Sequence, residues 1–399
     1  MEKKVASFVL KIMLMWMLAL VVLSMCLSIR QNNMILGVEL TGGMFLGAFF
    51  AGAIISIVAV VIMGLKKGRN SVTNARSNYA GAGMMLAVFG ILMMVIQYCY
   101  GPMMVWIFGE DIVNASWYSW VQTIVSTYVL TLGVVTILAG TVEKSPIERH
   151  KMKIGQFICC IFMNAGIVAV GATVGALLEA LMLFRLGTTG GGGQVISNMM
   201  IGSNDFWRIL TVGIGAPIVE ELVFRKFLID RVHKYGEGIA IFISGLLFGL
   251  FHGNFSQVFF ATGVGLFFAY IYVRTGNIWY SILLHMVVNL SSSVVSIMLI
   301  ERLDYDLINK YVEMEVYSPE AMEIMMQLMP NMLPLILWVL LLIIAAIIGL
   351  ILWILNRKKF YLVKSEEYVE KKKLRTAFGN YGMIYFLLLC LYRFFSFYV

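Results

Sequence analysis

Three groups of polar side chains stand out in this mostly apolar chain, and all are of the types used in acid–base catalysis. The groups are Glu220-Glu221 with Arg225, Phe248 with His252, and His285 with Asn289. Carboxylates and imidazoles can take up and return protons, while N–H groups can stabilise a developing negative charge. Together, these side chains could activate a water molecule for hydrolysis.

The first group predicts both an ion pair and a separate acid–base group on one helix. Glu221 and Arg225 are four residues apart, so they share a helix face and can pair. Glu220 points about 100° away from Glu221 and can face a different partner. Pro217 lies just before the two glutamates, and its missing N–H removes one backbone hydrogen bond. We therefore expect a kinked or loosened helix there, with room for water.

The second and third groups place each histidine one helical turn from another site residue. Phe248 and His252 share a face, so an aromatic ring is expected beside the imidazole. His285 and Asn289 likewise present two polar groups from one wall. Residues 239–273 are uncharged and are interrupted only by the polar stretch that begins at His252. This pattern predicts two short, tilted helices joined by a turn inside the protein, with His252 at mid-membrane.

The composition indicates a membrane protein. Hydrophobic residues make up 60% of the 399 residues and charged residues 13%, with a mean hydropathy of +0.88. Soluble domains average about 45–50% apolar and about 25% charged. Ionisable groups are costly at membrane depth, so each needs a reason. One Glu–Arg pair or one histidine is more often a structural contact, and it is the clustering of all three groups that indicates catalysis.

The predicted fold class is all-α, a polytopic bundle of about eleven transmembrane helices, because the apolar runs are continuous rather than alternating. The predicted spans are 8–29, 40–65, 78–99, 117–142, 154–184, 206–229, 238–253, 256–273, 278–300, 333–355 and 381–399. With the N-terminus inside, 23 of the 30 Lys and Arg residues fall in inner segments. This bias predicts an N-in, C-out topology and explains the net charge of +8 without a nucleic-acid partner.

Four regions are predicted along the chain. Residues 1–153 form an N-terminal region of about four spans, and 154–300 form the catalytic membrane core. Residues 301–332 form an acidic extracytoplasmic segment. Residues 333–399 hold the last spans, with a basic cytoplasmic loop at 356–380 whose expected contact is anionic lipid.

Two outer segments have predicted structures of their own. The Gly-rich segment 187–205 is not followed by Gly-Lys-Ser/Thr, so it is interpreted as a connector rather than a phosphate loop. Ser318 followed by Pro319 predicts an N-cap and a first helical residue. A short amphipathic helix at 319–329 is expected on the outer surface, as a lid, a substrate guide or a plain surface segment.

The three groups resemble the signature of the CPBP family, the CAAX prenyl endopeptidases and their bacterial relatives that process bacteriocins or confer self-immunity. That signature is Glu-Glu-x-x-x-Arg, then Phe-x-x-x-His, then His-x-x-x-Asn/Asp, on separate membrane helices. All three motifs occur here in order, and the resemblance covers roughly residues 206–300. It implies an intramembrane endopeptidase, and a bacterial plasma membrane as its location.

The resemblance also implies a role for each residue. Glu220 would be the general base, His252 would help to bind the water, and His285 and Asn289 would stabilise the oxyanion. Supporting roles would fall to Glu221, Arg225 and Phe248. No cofactor is favoured, although zinc held by Glu220, His252 and His285 is an alternative. The substrate would be a membrane-associated peptide or protein, reached from the cytoplasmic half of the bilayer.

Two other functions stay open at this point. A proton- or substrate-coupled transporter could use Glu220, His252 and His285 as a relay. No internal repeat is evident, which weakens that interpretation. A catalytically idle scaffold or immunity factor is the other alternative, although every motif residue is retained here.

Overall fold

A computed structural model describes residues 34–35, 38–39, 71–115, 117–186, 200–314, 318–363 and 373–398. The first two predicted spans, 8–29 and 40–65, lie outside the described residues. So do 187–199 of the Gly-rich segment and 364–372 of the basic loop.

The described part of the chain is helical apart from two strands of two residues each, Met34–Ile35 and Val38–Glu39, which pair antiparallel. The helices are α1 Ser71–Phe108, α2 Tyr118–Thr141, α3 Ile154–Leu186, α4 205–232, α5 Glu237–Phe251, α6 Phe255–Thr275, α7 Ile278–Ile300, α8 Tyr305–Val312, α9 Pro319–Asn356, α10 Lys373–Phe378 and α11 Tyr381–Tyr398. Short 3₁₀ turns lie at Glu110–Asn114, His233–Tyr235 and Arg357–Lys359. The predicted all-α fold class is confirmed.

Six of these helices, α1, α2, α3, α6, α7 and α9, are long and apolar enough to cross a membrane. The apolar helices α5 and α11 are shorter. Contacts between helix ends agree with alternating directions along the chain: Arg208 near the start of α4 pairs with Glu301 after α7, and Arg274 in α6 pairs with Glu237 in α5. A polytopic helical bundle is thus observed, while the number of eleven spans and the N-in orientation stay predictions.

The prediction of a short surface helix at 319–329 is wrong. These residues form the first turns of α9, a continuous helix of 38 residues. Pro330 and Pro334 lie inside α9 without ending it. The predicted cap is present, because the Ser318 hydroxyl accepts a hydrogen bond from the Ala321 N–H at 3.1 Å. The helix therefore begins where the sequence indicates and continues directly into the apolar span.

Helix α4 is widened on both sides of the turn that carries the two glutamates. The flanking segments Ile209–Gly215 and Leu222–Phe227 have π-type hydrogen bonding, and Ala216–Glu221 between them is regular α-helix. Pro217 explains the first wide segment, since it cannot donate the hydrogen bond that a regular turn needs. The loosening expected at Pro217 is confirmed, and wide turns of this kind often occur at functional sites.

The uncharged stretch after Glu237 forms two helices joined by a buried turn, as predicted, but only α5 is short, since α6 has 21 residues and is long enough to cross a membrane. Helix α5 ends at Phe251, and α6 begins at Phe255. Gly253 has φ +73°, a left-handed conformation that favours glycine, and Asn254 is fully buried. The Asn254 side chain caps α6 by accepting a hydrogen bond from the Gln257 N–H at 3.0 Å. The polar backbone of this turn is thus satisfied inside the protein.

One apolar core cluster joins α1, α4, α5 and α11 and holds α11 against the centre of the bundle. Helices α1 and α11 cross closely at a pair of glycines, where a Cβ on Gly83 would lie 2.4 Å from the Gly382 carbonyl carbon. Further along, the Phe251 and Phe386 rings stack with centroids 6.0 Å apart. This packing places α11 beside the end of α5 that carries His252.

Candidate active site

The predicted site residues come from three helices that pack around one aromatic ring. Helix α4 supplies both glutamates and Arg225, while α5 supplies Phe248, with His252 directly after its last residue. Helix α7 supplies His285 and Asn289. The Phe248 ring meets the His252 ring with centroids 5.0 Å apart and the His285 ring with centroids 5.7 Å apart. The three motifs, far apart in sequence, therefore meet in space.

Glu221 is the buried centre of the polar network. Its side chain has no exposed surface, and its Oε2 lies 3.1 Å from Nε of Arg225. The ion pair predicted from the four-residue spacing is thus present. The Glu221 Oε1 accepts a hydrogen bond from Nδ1 of His285 at 3.0 Å. Glu221 therefore fixes the orientation of the His285 ring and leaves its Nε2 for another contact.

Glu220 lies on the other side of the same histidine and is more open. Its side chain is 24% exposed, and its Oε2 lies 3.7 Å from Nε2 of His285. That separation is too long for a direct hydrogen bond. One water oxygen can nevertheless lie about 2.8 Å from both the Glu220 Oε2 and the His285 Nε2 and form a hydrogen bond with each. Glu220, rather than Glu221, is thus the carboxylate that can reach a water or a substrate.

Arg225 is a fully buried cation held between aromatic rings. Its guanidinium carbon lies 4.4 Å from the Phe248 ring centroid and 5.6 Å from that of Phe268. One terminal nitrogen also contacts the Gly265 carbonyl on α6 at 3.4 Å. Stacking on aromatic faces stabilises a desolvated guanidinium. Phe248 therefore supports both the cation and the two histidine rings.

His252 has one ring nitrogen engaged by its own helix. Its Nδ1 lies 2.9 Å from the Phe248 carbonyl oxygen, which can only accept a hydrogen bond. In the neutral ring Nδ1 therefore carries the hydrogen, and Nε2 is left as an acceptor. An acceptor of this kind can receive a hydrogen bond from a water molecule.

Asn289 is engaged with the backbone of α4. Its Nδ2 donates a hydrogen bond of 2.9 Å to the Val212 carbonyl, which lies in the first wide segment of α4. One N–H of the amide is used by this contact and the other remains. The site thus includes a direct link between α7 and the turn preceding the glutamates.

Two side chains near the site were missed by the sequence reasoning. Arg393 of α11 was not among the predicted site residues, but its guanidinium carbon lies 4.5 Å from the Phe251 ring centroid, and its charge acts on both Glu220 and His252. Tyr128 of α2 donates a hydrogen bond of 2.8 Å to the Thr211 carbonyl, in the first wide segment of α4. Arg393 could have been noticed as a lone arginine in an apolar helix. Tyr128 could not, because a tyrosine is common in such a helix and gives no signal.

The side chains do not fit the zinc site that the sequence left open as an alternative. In the described ranges, no group of three His, Cys, Asp or Glu side chains is arranged to hold a metal ion. Catalytic zinc sites use three protein ligands. Glu220 and His285 are adjacent, but His252 does not complete a three-ligand group with them. No step is therefore derived through a metal.

Comparison with known proteins points to one family. Residues 202–291 match the family model described as Type II CAAX prenyl endopeptidase Rce1-like, and this segment contains all three motifs. The chain is also similar to "Putative membrane peptidase YdiL" of Bacillus subtilis (strain 168), with 27% identity over 167 residues, which is 41% of this chain and 67% of the relative. No solved structure matches the chain.

These findings define the class first, a helical membrane peptidase, and the matched segment contains the glutamates and histidines that meet between the helices. Within that class, residues 202–291 match the CAAX prenyl endopeptidases, which supports the resemblance to CPBP-family intramembrane proteases that the motifs indicated. The match covers α4 to α7, so α11 and its Arg393 come from outside the matched segment.

Proposed function

We propose that the chain hydrolyses a peptide bond in a membrane-associated peptide or protein, with Glu220 as the general base. The observation that carries this proposal is the pairing of a partly exposed carboxylate, Glu220, with His285 Nε2 at 3.7 Å, while the adjacent Glu221 is buried and occupied. One carboxylate is thus free for proton transfer and the other holds the histidine. A general base must lie within reach of the water that it activates, and this arrangement meets that condition.

The proposed reaction begins at Glu220. A water molecule beside Glu220 loses a proton to the carboxylate, and the resulting hydroxide attacks the carbonyl carbon of the substrate. His285 and Asn289 are the donors proposed for the oxyanion that forms, with His285 acting as the imidazolium, because its Nδ1 hydrogen is used by Glu221 and Nε2 must carry a second hydrogen to donate. Glu220 then returns the proton to the leaving nitrogen as the C–N bond breaks, so the water is divided between the new carboxyl and amine groups.

His252 is proposed to orient the water. Its Nδ1 donates to the Phe248 carbonyl, so its Nε2 can accept one water hydrogen while Glu220 accepts the other. A water that donates both hydrogens presents its lone pairs to the substrate. Positioning of this kind contributes to catalysis without a covalent intermediate.

The proposed setting is a bacterial plasma membrane, with the N-terminus in the cytoplasm and the site open to the inner half. The bias of Lys and Arg toward inner segments supports the orientation. The similarity to a protein of Bacillus subtilis supports a bacterial origin.

The function is tested by incubating the purified full chain in lipid vesicles with a library of membrane-anchored peptides. We expect cleavage by the wild type and a loss of about 10²-fold in kcat/KM for His252→Ala, because the water loses one of its two acceptors. Products are identified by mass spectrometry. His233→Ala, a histidine outside the site, is the matched control and should cleave normally. Uptake of a substrate without cleavage would support the transporter alternative instead.

Metal dependence is a separate prediction. We expect the chelator-treated, dialysed protein to retain full activity and to contain far less than one zinc per chain, because Glu220 and the two histidines do not form a three-ligand site. Native mass spectrometry gives the stoichiometry, and a zinc peptidase treated in parallel shows that the chelation worked. Activity that is lost on chelation and restored by zinc would establish the metal-dependent alternative.

A further inference from the structure

Asn289 contacts the α4 backbone at a carbonyl group that Pro217 leaves without a hydrogen-bond donor. The Ala216 N–H donates to the Thr211 carbonyl, five residues back, rather than to Val212. The next donor in a wide turn would be residue 217, which is proline and has no N–H. The Val212 carbonyl therefore receives no hydrogen bond from either residue, and the Asn289 Nδ2 donates to it at 2.9 Å.

This contact bears directly on the position of the glutamates. Val212 lies in the wide segment that ends at Gly215, and Glu220 lies in the regular turn that follows. On α7, Asn289 is one turn from His285, which is hydrogen-bonded to Glu221. The two helices are thus joined once at the side chains and once at the backbone. The close fit of Gly213 supports this register, since a Cβ there would lie 2.6 Å from a Leu290 methyl carbon.

We infer that Asn289 is a positioning residue, which replaces the hydrogen bond lost at Pro217 and so holds the Glu220 turn against His285. The inference rests on the proposed function and assigns Asn289 a task beyond that of an oxyanion donor. In this chain the residue is an amide, whose N–H can donate to the Val212 carbonyl, as an ionised carboxylate could not. The inference also links two residues, Pro217 and Asn289, that lie on different helices.

A double-mutant cycle tests the link. Pro217→Ala supplies an N–H that can reach the Val212 carbonyl, so Asn289 should become dispensable for positioning in that background. We expect Asn289→Ala to lower kcat by up to about a hundredfold in the wild type with KM nearly unchanged, as for a misplaced catalytic group. In the Pro217→Ala background, the same change should cost at least about threefold less than in the wild type, because only the positioning part of the loss is removed and coupled residues are not additive.

The controls match each change elsewhere in the chain. Pro334→Ala alters a proline inside α9, and Asn356→Ala removes an amide that donates to the Leu352 carbonyl of its own helix at 2.8 Å. Neither control should alter the effect of Asn289→Ala. If Asn289 were only an oxyanion donor, Asn289→Ala would instead lower kcat by the same factor, about 10²–10³, in both backgrounds. An equal loss of kcat in both backgrounds overturns the inference.

Melting temperatures of the same four proteins provide a second measurement that does not depend on cleavage. Asn289→Ala should lower the melting temperature in the wild type, and Pro217→Ala should remove most of that loss. If Pro217→Ala abolishes activity by itself, the melting temperatures alone test the inference. Equal shifts in melting temperature for Asn289→Ala in both backgrounds would overturn it. Absence of any cleavage by the wild type would count against the proposed function, while the thermal cycle would still test Asn289.

Discussion

Replacing Glu220 with Gln is expected to lower kcat/KM by about 10²–10⁴-fold, the usual contribution of a general base. Glutamine keeps the size and polarity of the side chain but cannot take a proton from water. Because Glu220 is 24% exposed and lies 3.7 Å from its nearest histidine nitrogen, its neutralisation should leave the packing intact. Activity is measured on a cleaved membrane-anchored peptide, and the melting temperature is measured on the same sample.

Two comparisons isolate the role of Glu220. Glu179→Gln changes a carboxylate on another apolar helix, α3, and should leave activity near the wild-type level. Glu221→Gln should reduce activity and stability together, because Glu221 is fully buried between Arg225 and His285. Wild-type turnover by Glu220→Gln would show that another group activates the water.

Replacing Arg225 with Met is expected to destabilise the protein by about 3–5 kcal/mol, the cost of leaving one buried charge without its partner. The Arg225 and Glu221 side chains both have no exposed surface, so water cannot take over the role of the missing guanidinium. The change also removes the cation that stacks on Phe248, whose ring contacts both site histidines. Unfolding in a detergent titration measures the loss.

A more exposed ion pair offers a control. Lys234 pairs with Glu143 at 3.0 Å, and the Glu143 side chain is 52% exposed, so water can solvate the carboxylate that is left behind. Lys234→Met should therefore cost only about 0–1 kcal/mol, as for other exposed ion pairs. Equal losses for the two variants would show that burial does not set the energy of the Glu221–Arg225 pair.

The local features of the fold could be predicted because they depend on neighbours along the chain. Continuous apolar runs predicted α2 to α7 within a few residues, and the four-residue spacing predicted the Glu221–Arg225 ion pair. Pro217 predicted the loosened turn, since a missing N–H acts wherever the helix lies. The helix at 319–329 was misplaced because a cap marks where a helix begins but not how far it continues.

The sequence by itself determined that this is a helical membrane protein, which residues carry its chemistry, and the family to which their order points. Only the tertiary structure decided how the adjacent glutamates divide their tasks, with Glu221 buried and Glu220 open to one side of His285. Side chains about 100° apart on a helix are equivalent until a neighbouring helix covers one of them. For the same reason, the sequence could not predict the contact of Arg393 with Phe251 or the Asn289–Val212 hydrogen bond. Both depend on which helices pack together rather than on local spacing.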